Sequence, residues 1–571
     1  MKNTSFLESL DLLLEHSDNT DTFRKYIVAK AITGGFSATP ERRRSSEASI
    51  SGEIHEKYSE KNIRPKKNSL SASPITSDEI PFSYHQSVHF ERLGSIADLK
   101  KGLTGIKSAT SGHFPLVVTA KDRLTCDHFD FNGAAAIVPL VSSTGHGNAS
   151  LNRLHYQEGK FALGTILCGI FPLDEQFISA RFIYEYLSAF KDELLVSKML
   201  GTANVTLTIG KLAETPVPIV PLGIQRKVDE LMALCDQLEA TRNEREAQRN
   251  RLVKSSLNRI SQAPAASEED EAKTKGITIL RDAARFHLDH LPRMVTRPEH
   301  VKQLRQTILD LAVRGRLVPQ DPNDEPASEL LKQIQADKSV KGAFARTISH
   351  PIPEWHASLS ELYLSQNWIL TNLGTVTLKI TDGSHKTPEY VHSGVPFISV
   401  KDFSKGALSF SNTRFIKKTQ HDELYKRCDP KKGDVIIGRI GTLGKAVLID
   451  TEKEFSLFVS VGLIRFNHDY IDPTFFVYTI NSPFIEKEFD RIKVGGGTHT
   501  NKLNLGDLQT INFPLPPLPE QRLIVAKVDE LMAICDDLDA QLKTTEADSR
   551  RFLEAVLRDV LEPTGAISLC L

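Results

Sequence analysis

Three glycine-punctuated stretches carry the residues best suited to recognition chemistry: Asp382-Gly-Ser-His-Lys-Thr-Pro388, Gly438-Arg-Ile-Gly-Thr-Leu-Gly444 and Gly495-Gly-Gly-Thr-His-Thr-Asn-Lys-Leu-Asn504. They offer hydroxyls, imidazoles, an amide and cations on turns where glycine lets the main chain approach a ligand. Ser142-Ser-Thr-Gly-His-Gly-Asn148 is a fourth stretch of the same character. None of them has catalytic spacing. The glycines 438, 441 and 444 fit neither a Walker loop nor a dinucleotide fingerprint, and they sit between apolar, strand-like runs, so they read as tight turns that present Arg439. Asp450-x-Glu452-Lys453 loosely matches a nuclease carboxylate–lysine set, a spacing common on solvated surfaces. There is no Asn/Asp-Pro-Pro-aromatic tetrapeptide to hold a flipped adenine, and no glycine-rich strand-to-helix turn for a methyl donor. The six cysteines are scattered without CxxC or metal-ligand spacing, which predicts reduced thiols and no metal. By itself the chain is expected to catalyse nothing.

The elements that must position these loops are duplicated. Residues 227–236 read KVDELMALCD and residues 527–536 read KVDELMAICD. Upstream, Pro221-Leu222-x-x-Gln225-Arg226 matches Pro517-Leu518-x-x-Gln521-Arg522, and the second copy then has four extra residues, Leu523 to Ala526. Four residues are about one helical turn, so the apolar stripe nearly keeps its phase. A second repeated pattern, Phe23-Arg24-x-x-Ile27-x-x-x-Ala31-x-x-Gly34, recurs as Leu304-Arg305-x-x-Ile308-x-x-x-Ala312-x-x-Gly315. Its spacing predicts a helix closed by a left-handed glycine. The chain is therefore two similar halves.

Composition shifts suggest these boundaries: an N-terminal helical region 1–36, a linker 37–87, a first globular module 88–218, a long helix 219–260, a linker 261–297, a central helix 298–320, a linker 321–364, a second module 365–515, a second long helix 516–562 and a tail 563–571. The first helix is expected around 5–33. Both modules are rich in β-type runs, such as 114–119, 433–438 and 456–464, and each holds one helical run, 178–199 and 472–490. The fold class expected is mixed α/β with a highly curved sheet in each module. In the long helices, Val228, Leu231, Cys235 and Leu238, and then Val528, Leu531, Cys535, Leu538 and Leu542, follow a 3-4 spacing. That seam predicts that the two long helices pair antiparallel and hold the modules apart as a ruler.

A net charge of −1, from 71 Lys+Arg against 72 Asp+Glu, excludes a strongly basic coat protein but not a local basic surface. Residues 88–220 are neutral and 365–516 carry about three excess positive charges. The N-terminus lacks the basic region of a signal peptide and no apolar run reaches membrane-spanning length, which predicts a cytoplasmic protein.

The order of helix, charged linker, module and PLPEQ-type helix, run twice, resembles the specificity subunit of type I restriction–modification systems. Residues 511–531, INFPLPPLPEQRLIVAKVDEL, and Leu304 to Pro319, LRQTILDLAVRGRLVP, look like segments of that family. So do Asp382 to Pro388, Pro396-Phe-Ile-Ser-Val-Lys-Asp402 and the 433–444 stretch, whereas the first module departs from these motifs and carries Ser142 to Asn148 instead. The resemblance implies double-stranded DNA as ligand, a different sequence read by each module, and target-recognition domains separated by coiled-coil helices. It implies two methyltransferase subunits and two restriction/translocase subunits as partners, no membrane, and S-adenosylmethionine, ATP and Mg²⁺ held by those partners rather than by this chain. On that reading the DNA-binding candidates are Ser384, His385, Lys386, Thr387, Arg439, Thr442, Lys445, Thr498, His499 and Asn501 in the second module, and Lys121, Arg123, Ser143, Thr144, His146 and Asn148 in the first. The alternative is a stand-alone bivalent DNA-binding regulator without enzymatic partners. A self-contained methyltransferase is opposed by the missing motifs, and a pure coiled-coil scaffold by two elaborate modules.

Overall fold

The computed structural model describes residues 17–34, 36, 75–82, 84, 88–144, 148–201, 205–261, 285–287, 290, 294–340, 367–441, 443–495 and 501–561. The chain divides into two compact units, residues 1–246 with 544–571, and residues 247–543.

In the first unit, strand His89–Arg92 pairs antiparallel with Pro216–Ile219, tying the start of the module to its end. Between them lie two four-stranded sheets. One runs 97–101, 167–172, 135–139, 155–157 and is antiparallel throughout. The other runs 124–126, 114–117, 160–163, 131–132 and contains a parallel pair, Leu116 opposite Ala162 and Val117 opposite Leu163. The strand Ala135–Pro139 is apolar along its whole length because both faces are covered. Ala136 and Val138 face the cluster built on helix Ala180–Ala189, and Ala135 and Ile137 face the second sheet.

The second unit repeats this plan. Ile369–Asn372 pairs with Asn512–Leu515. One sheet runs 379–382, 461–465, 435–438, 446–448, and the other runs 390–391, 414–416, 395–398, 456–457, again with one parallel pair, Phe397 opposite Ser456. Val435 and Ile437 face the helices while Ile436 faces the second sheet. Each unit is thus a helix layer, a central sheet and an outer sheet. The run 456–464, read as one strand, divides between the two sheets, Ser456–Leu457 in one and Val461–Arg465 in the other. The helical run 472–490 is two helices, Pro473–Ile480 and Pro483–Ile492, because Pro483 opens a new helix capped by Ser482.

The repeated motifs are the fastenings of each unit. Gln225 is 1% exposed at the start of helix Leu222–Ser261. Its carbonyl accepts from the Ser179 amide at 2.9 Å, and its amide donates to Phe177 O at 2.7 Å and Val220 O at 2.8 Å. Gln521, 0% exposed at the start of helix Leu518–Leu561, does the same with Asp472 N at 2.8 Å, Tyr470 O at 3.2 Å and Pro516 O at 3.1 Å. Both acceptor contacts fall on helix N-cap residues, so the glutamine locks one helix start to another. Arg24, on helix Ser17–Ile32, pairs with Asp236 at 2.6 Å and Glu239 at 3.2 Å, and Arg305, on helix Pro298–Val313, pairs with Asp536 at 2.7 Å and Asp539 at 3.0 Å. Gly34 and Gly315 end their helices at φ 83° and 66°, the left-handed closure their position requires. Trp368 and Gln320 both donate to the buried Glu520 carboxylate, at 2.9 and 3.2 Å, fixing the second long helix to the segment after the central helix.

Two further readings need correction. Part of each linker is core: Ile80 packs in the first unit, and Met294, Val295, Ala327, Leu330 and Ile334 pack in the second, the last three from helix Ala327–Val340. The helical seam is also not a free surface near the modules. Val228 and Cys235 are buried with Met232 in the first core, and Val528 and Cys535 in the second, while Leu231, Leu531, Leu538 and Leu542 are partly buried against the same cores. Leu238 is 42% exposed and belongs to no core. The stripe is used by the short repeated helices Ser17–Ile32 and Pro298–Val313, which need the same 3-4 spacing as a coiled-coil partner does. Residues 1–16 of the first expected helix lie outside the described residues. No helix among the described residues is long and apolar enough to cross a membrane.

Candidate nucleic-acid interface

In the second module the three glycine-rich stretches meet around one carboxylate. Asp382 ends strand Lys379–Asp382 and is 1% exposed. Its side chain is bonded to Arg439, to Arg427 at 2.9 Å and to His385 at 3.0 Å. Arg439 is 7% exposed; its Nε donates to Leu503 O at 2.9 Å, and the Leu503 amide returns a bond to Arg439 O at 2.9 Å. Those bonds dock the 501–504 segment onto the 438–441 turn, helped by Gly441 N to Asn501 O at 3.2 Å and by Lys502, which bridges both Ile440 and Val494. Gly383 is required where it stands, since a Cβ there would lie 2.0 Å from Leu457 O.

His385, Lys386 and Thr387 project from this frame as exposed side chains, Lys445 is half-exposed, and Asn501 is half-buried. Two candidates change role. Arg439 is consumed by the buried Asp382 pair and positions the loops instead of reaching a ligand, because a charge this deep is stable only when paired. Ser384 is 9% exposed and donates to Lys386 O at 2.8 Å, closing the turn that lifts His385 outward. Thr442, Thr498 and His499 lie outside the described residues.

The first module builds the same frame without the motifs. Thr206 bridges Val141 and Leu200 just as Lys502 bridges Ile440 and Val494. Ser142 to Thr144 therefore follow their bridge as Gly441 follows its bridge in the other module. Thr104 bridges Gly164 in parallel, as Ser384 bridges Phe458, so the 102–107 segment, passed over in the sequence, is the counterpart of the Asp382 loop. A cleft of about 400 Å³ opens beside this frame, lined by Thr119, Lys121, Ser142, Ser143, Asn152 and Arg153 among others. Lys121 and Arg153 are exposed cations there, and Arg153 was another residue missed. Ser143 accepts from the Asn152 amide at 2.9 Å, Thr144 contacts Ser150 Oγ at 3.0 Å, and the Asn148 carbonyl accepts from Ser142 at 2.5 Å. Arg123 is redirected by its bonds: it donates to Gln157 at 3.2 Å, Tyr156 O at 3.2 Å and His155 Nδ1 at 3.1 Å, clamping an edge strand. Burial, then Arg123 and Arg153, push the His155 imidazole down to about 4, so it stays neutral and accepts that bond. His146 lies outside the described residues.

Among the described residues one group could hold a metal ion, Cys126, Asp127 and His128, with ligand atoms within 4.8 Å of one another. Adjacent positions of this kind escape a search for CxxC spacing. Asp127 is already bonded to His128 at 2.7 Å.

The class these features define is a pair of recognition modules of one topology, each presenting polar loops on a main-chain frame and fastened to a long helix by repeated residues. The chain belongs to the type I restriction modification DNA specificity domain family, whose model matches residues 88–248 and 377–545, more than half of its length. It is 26% identical over 352 residues to the type I restriction enzyme EcoAI specificity subunit of Escherichia coli, covering 60% of this chain and 57% of that one. It is 24% identical over 383 residues to the EcoEI specificity subunit of the same organism, covering 63% and 61%. The chain thus spans less than two thirds of the length of these relatives. A chain in a solved structure of a type I R-M system is 17% identical, with a TM-score of 0.43, covering 84% of this chain and 99% of that one.

Proposed function

We propose that this chain is the DNA-reading specificity subunit of a type I restriction–modification complex. Each module reads one half of a bipartite, asymmetric target, and the chain directs partner subunits that methylate adenine at N6 and cut unmodified DNA with ATP. The chain itself is non-catalytic. S-adenosylmethionine, ATP and Mg²⁺ belong to two methyltransferase and two restriction subunits, and the complex works in the cytoplasm. The observation that carries this reading is the duplicated frame with unlike loops: the same main-chain bridges at Thr206 and Lys502 brace a hairpin with exposed Ser143 and Thr144 in one module and a glycine turn ending at half-exposed Lys445 in the other. That is what reading two unlike sequences with one architecture requires.

The contacts assigned to DNA are Lys121, Ser143, Thr144, Asn148, His385, Lys386, Thr387, Lys445 and Asn501, with His146, Thr442, Thr498 and His499 on the same loops. The long helices, 40 and 44 residues, reach about 60 Å or more at 1.5 Å per residue. Paired antiparallel, they are the ruler that sets half-sites about one 34 Å turn apart. Leu234 and Ile534, 52% and 48% exposed at matching repeat positions, support a twice-used docking surface for two copies of one methyltransferase partner.

The test is a single-molecule methylome of a host without other adenine methylation, expressing the chain with its neighbouring methyltransferase. A bipartite asymmetric motif with one modified adenine per strand is expected. Absence of modification, with the methyltransferase present and folded, would favour a stand-alone bivalent DNA-binding regulator.

A further inference from the structure

The Asp382 carboxylate holds one arginine more than its charge balances. Arg439 is buried against it and neutralises it. Arg427 is a second guanidinium on the same carboxylate, yet its side chain is 54% exposed. It follows helix Lys418–Tyr425 and is locked at one end only: Nη2 donates to Asp382 Oδ1 at 2.9 Å, to Asp382 O at 2.8 Å and to Gly383 O. Among the described residues no partner takes Nη1 or Nε. The acids nearby are engaged elsewhere, Asp429 with Lys379 and Arg465, Asp434 with Arg465, and Glu389 with Lys417. Lys386 and Thr387 stand exposed on the same glycine loop whose Asp382 and Gly383 carbonyls Arg427 holds. The result is a surplus positive charge, held at one end before any ligand arrives, on a half-exposed side chain with two nitrogens that have no partner among the described residues.

We propose that Arg427 is a phosphate anchor for the DNA backbone of the C-terminal half-site, with Lys386 as its neighbour. A guanidinium suits phosphate oxygens, and holding it in advance removes much of the ordering cost of the contact. With Nη2 occupied, no free two-nitrogen edge is left to grip a guanine, so the contact sets register and carries no base identity. This rests on the DNA-reading function above.

The experiment measures binding of the full chain, with its methyltransferase, to a duplex carrying the motif found by methylome, as a function of salt. Arg427→Ala should bind several-fold more weakly at 0.15 M salt. Its log affinity should fall less steeply with log salt, by about 0.9 in slope, with the motif unchanged. Arg427→Lys, which keeps the charge, should keep the slope and decides the matter if the alanine variant melts early. Unchanged affinity in Arg427→Ala, weaker binding at an unchanged slope, or an altered base preference in the half-site would each overturn the assignment. Failure of the wild-type protein to bind any motif would instead overturn the DNA-reading function itself.

Discussion

Replacing Gln521 by alanine removes three hydrogen bonds from a site closed to water. The Asp472 amide loses its acceptor at 2.8 Å, and the Tyr470 and Pro516 carbonyls lose their shared donor. A buried group left without a partner costs about 1–3 kcal/mol, and carbonyls with a second lone pair sit at the low end. Counting the amide fully and the carbonyls lightly gives about 3 kcal/mol, before any cavity. In a unit of this size that is a fall of about 5 °C in melting temperature. Gln225→Ala removes bonds of 2.9, 2.7 and 2.8 Å and should cost the first unit a similar amount. Gln→Glu at either position keeps the acceptor but turns a carboxylate toward two carbonyls, so at neutral pH it should be no milder. Calorimetry of the full chain gives the size, and hydrogen exchange gives the place: the amides opening helix Pro473–Ile480 should lose protection in Gln521→Ala, and those opening Ala180–Ala189 in Gln225→Ala. A loss below about 0.5 kcal/mol, or equal deprotection of both helices by either variant, would refute the fastening role.

Gly383→Ala forces a Cβ to 2.0 Å from Leu457 O, so it should destabilise the second unit by at least the 1–3 kcal/mol typical of overpacking and abolish binding at the C-terminal half-site alone, read by filter binding on half-site duplexes. Asp382→Asn strands the buried Arg439 charge, and a loss of about 3–5 kcal/mol in urea unfolding is expected, with Arg439→Lys failing to restore it. The Glu79–Arg92 pair makes a pH prediction: hydrogen bonding to Arg92 holds Glu79 at about 2, below its ordinary 4.5. Because the folded value is the lower one, the pair's stabilisation is complete above pH ~4.5 and fades as pH falls toward ~2; Glu79 is 35% exposed, so the amount is under about 1 kcal/mol and should vanish from the pH–stability curve in Arg92→Met. Inserting four residues after Arg226, to mimic Leu523 to Ala526, should lengthen the unread spacer in the methylome and leave both half-sites unchanged; an unchanged spacer would count against the ruler.

What was legible in the sequence was whatever side chains specify twice. Arg24 and Arg305, Gln225 and Gln521, and Gly34 and Gly315 stand at matching positions because they make matching bonds, so duplication reported them. The common sheet plan of the two modules was not legible, because main-chain bridges such as Val141–Thr206 and Ile440–Lys502 accept unrelated side chains. For the same reason the 102–107 loop and Arg153 went unnoticed. Arg439 was misread because a loop arginine beside glycines looks identical whether it faces solvent or a buried carboxylate; only the fold brings Asp382, 57 residues away, against it. Val228 and Cys235 were read as a free seam because a 3-4 spacing records a stripe and not what covers it, and here the module's own core does.

The bridges that Thr206 and Lys502 make have an evolutionary consequence. They are main-chain pairings, so the hairpins they brace can exchange nearly every side chain at little cost to the scaffold. On the proposed DNA-reading function, new sequence preferences can then arise within a few short segments while the helices that fasten each module stay as they are. One half of the target can drift while the other is kept, and a lineage of such chains can diversify its targets combinatorially.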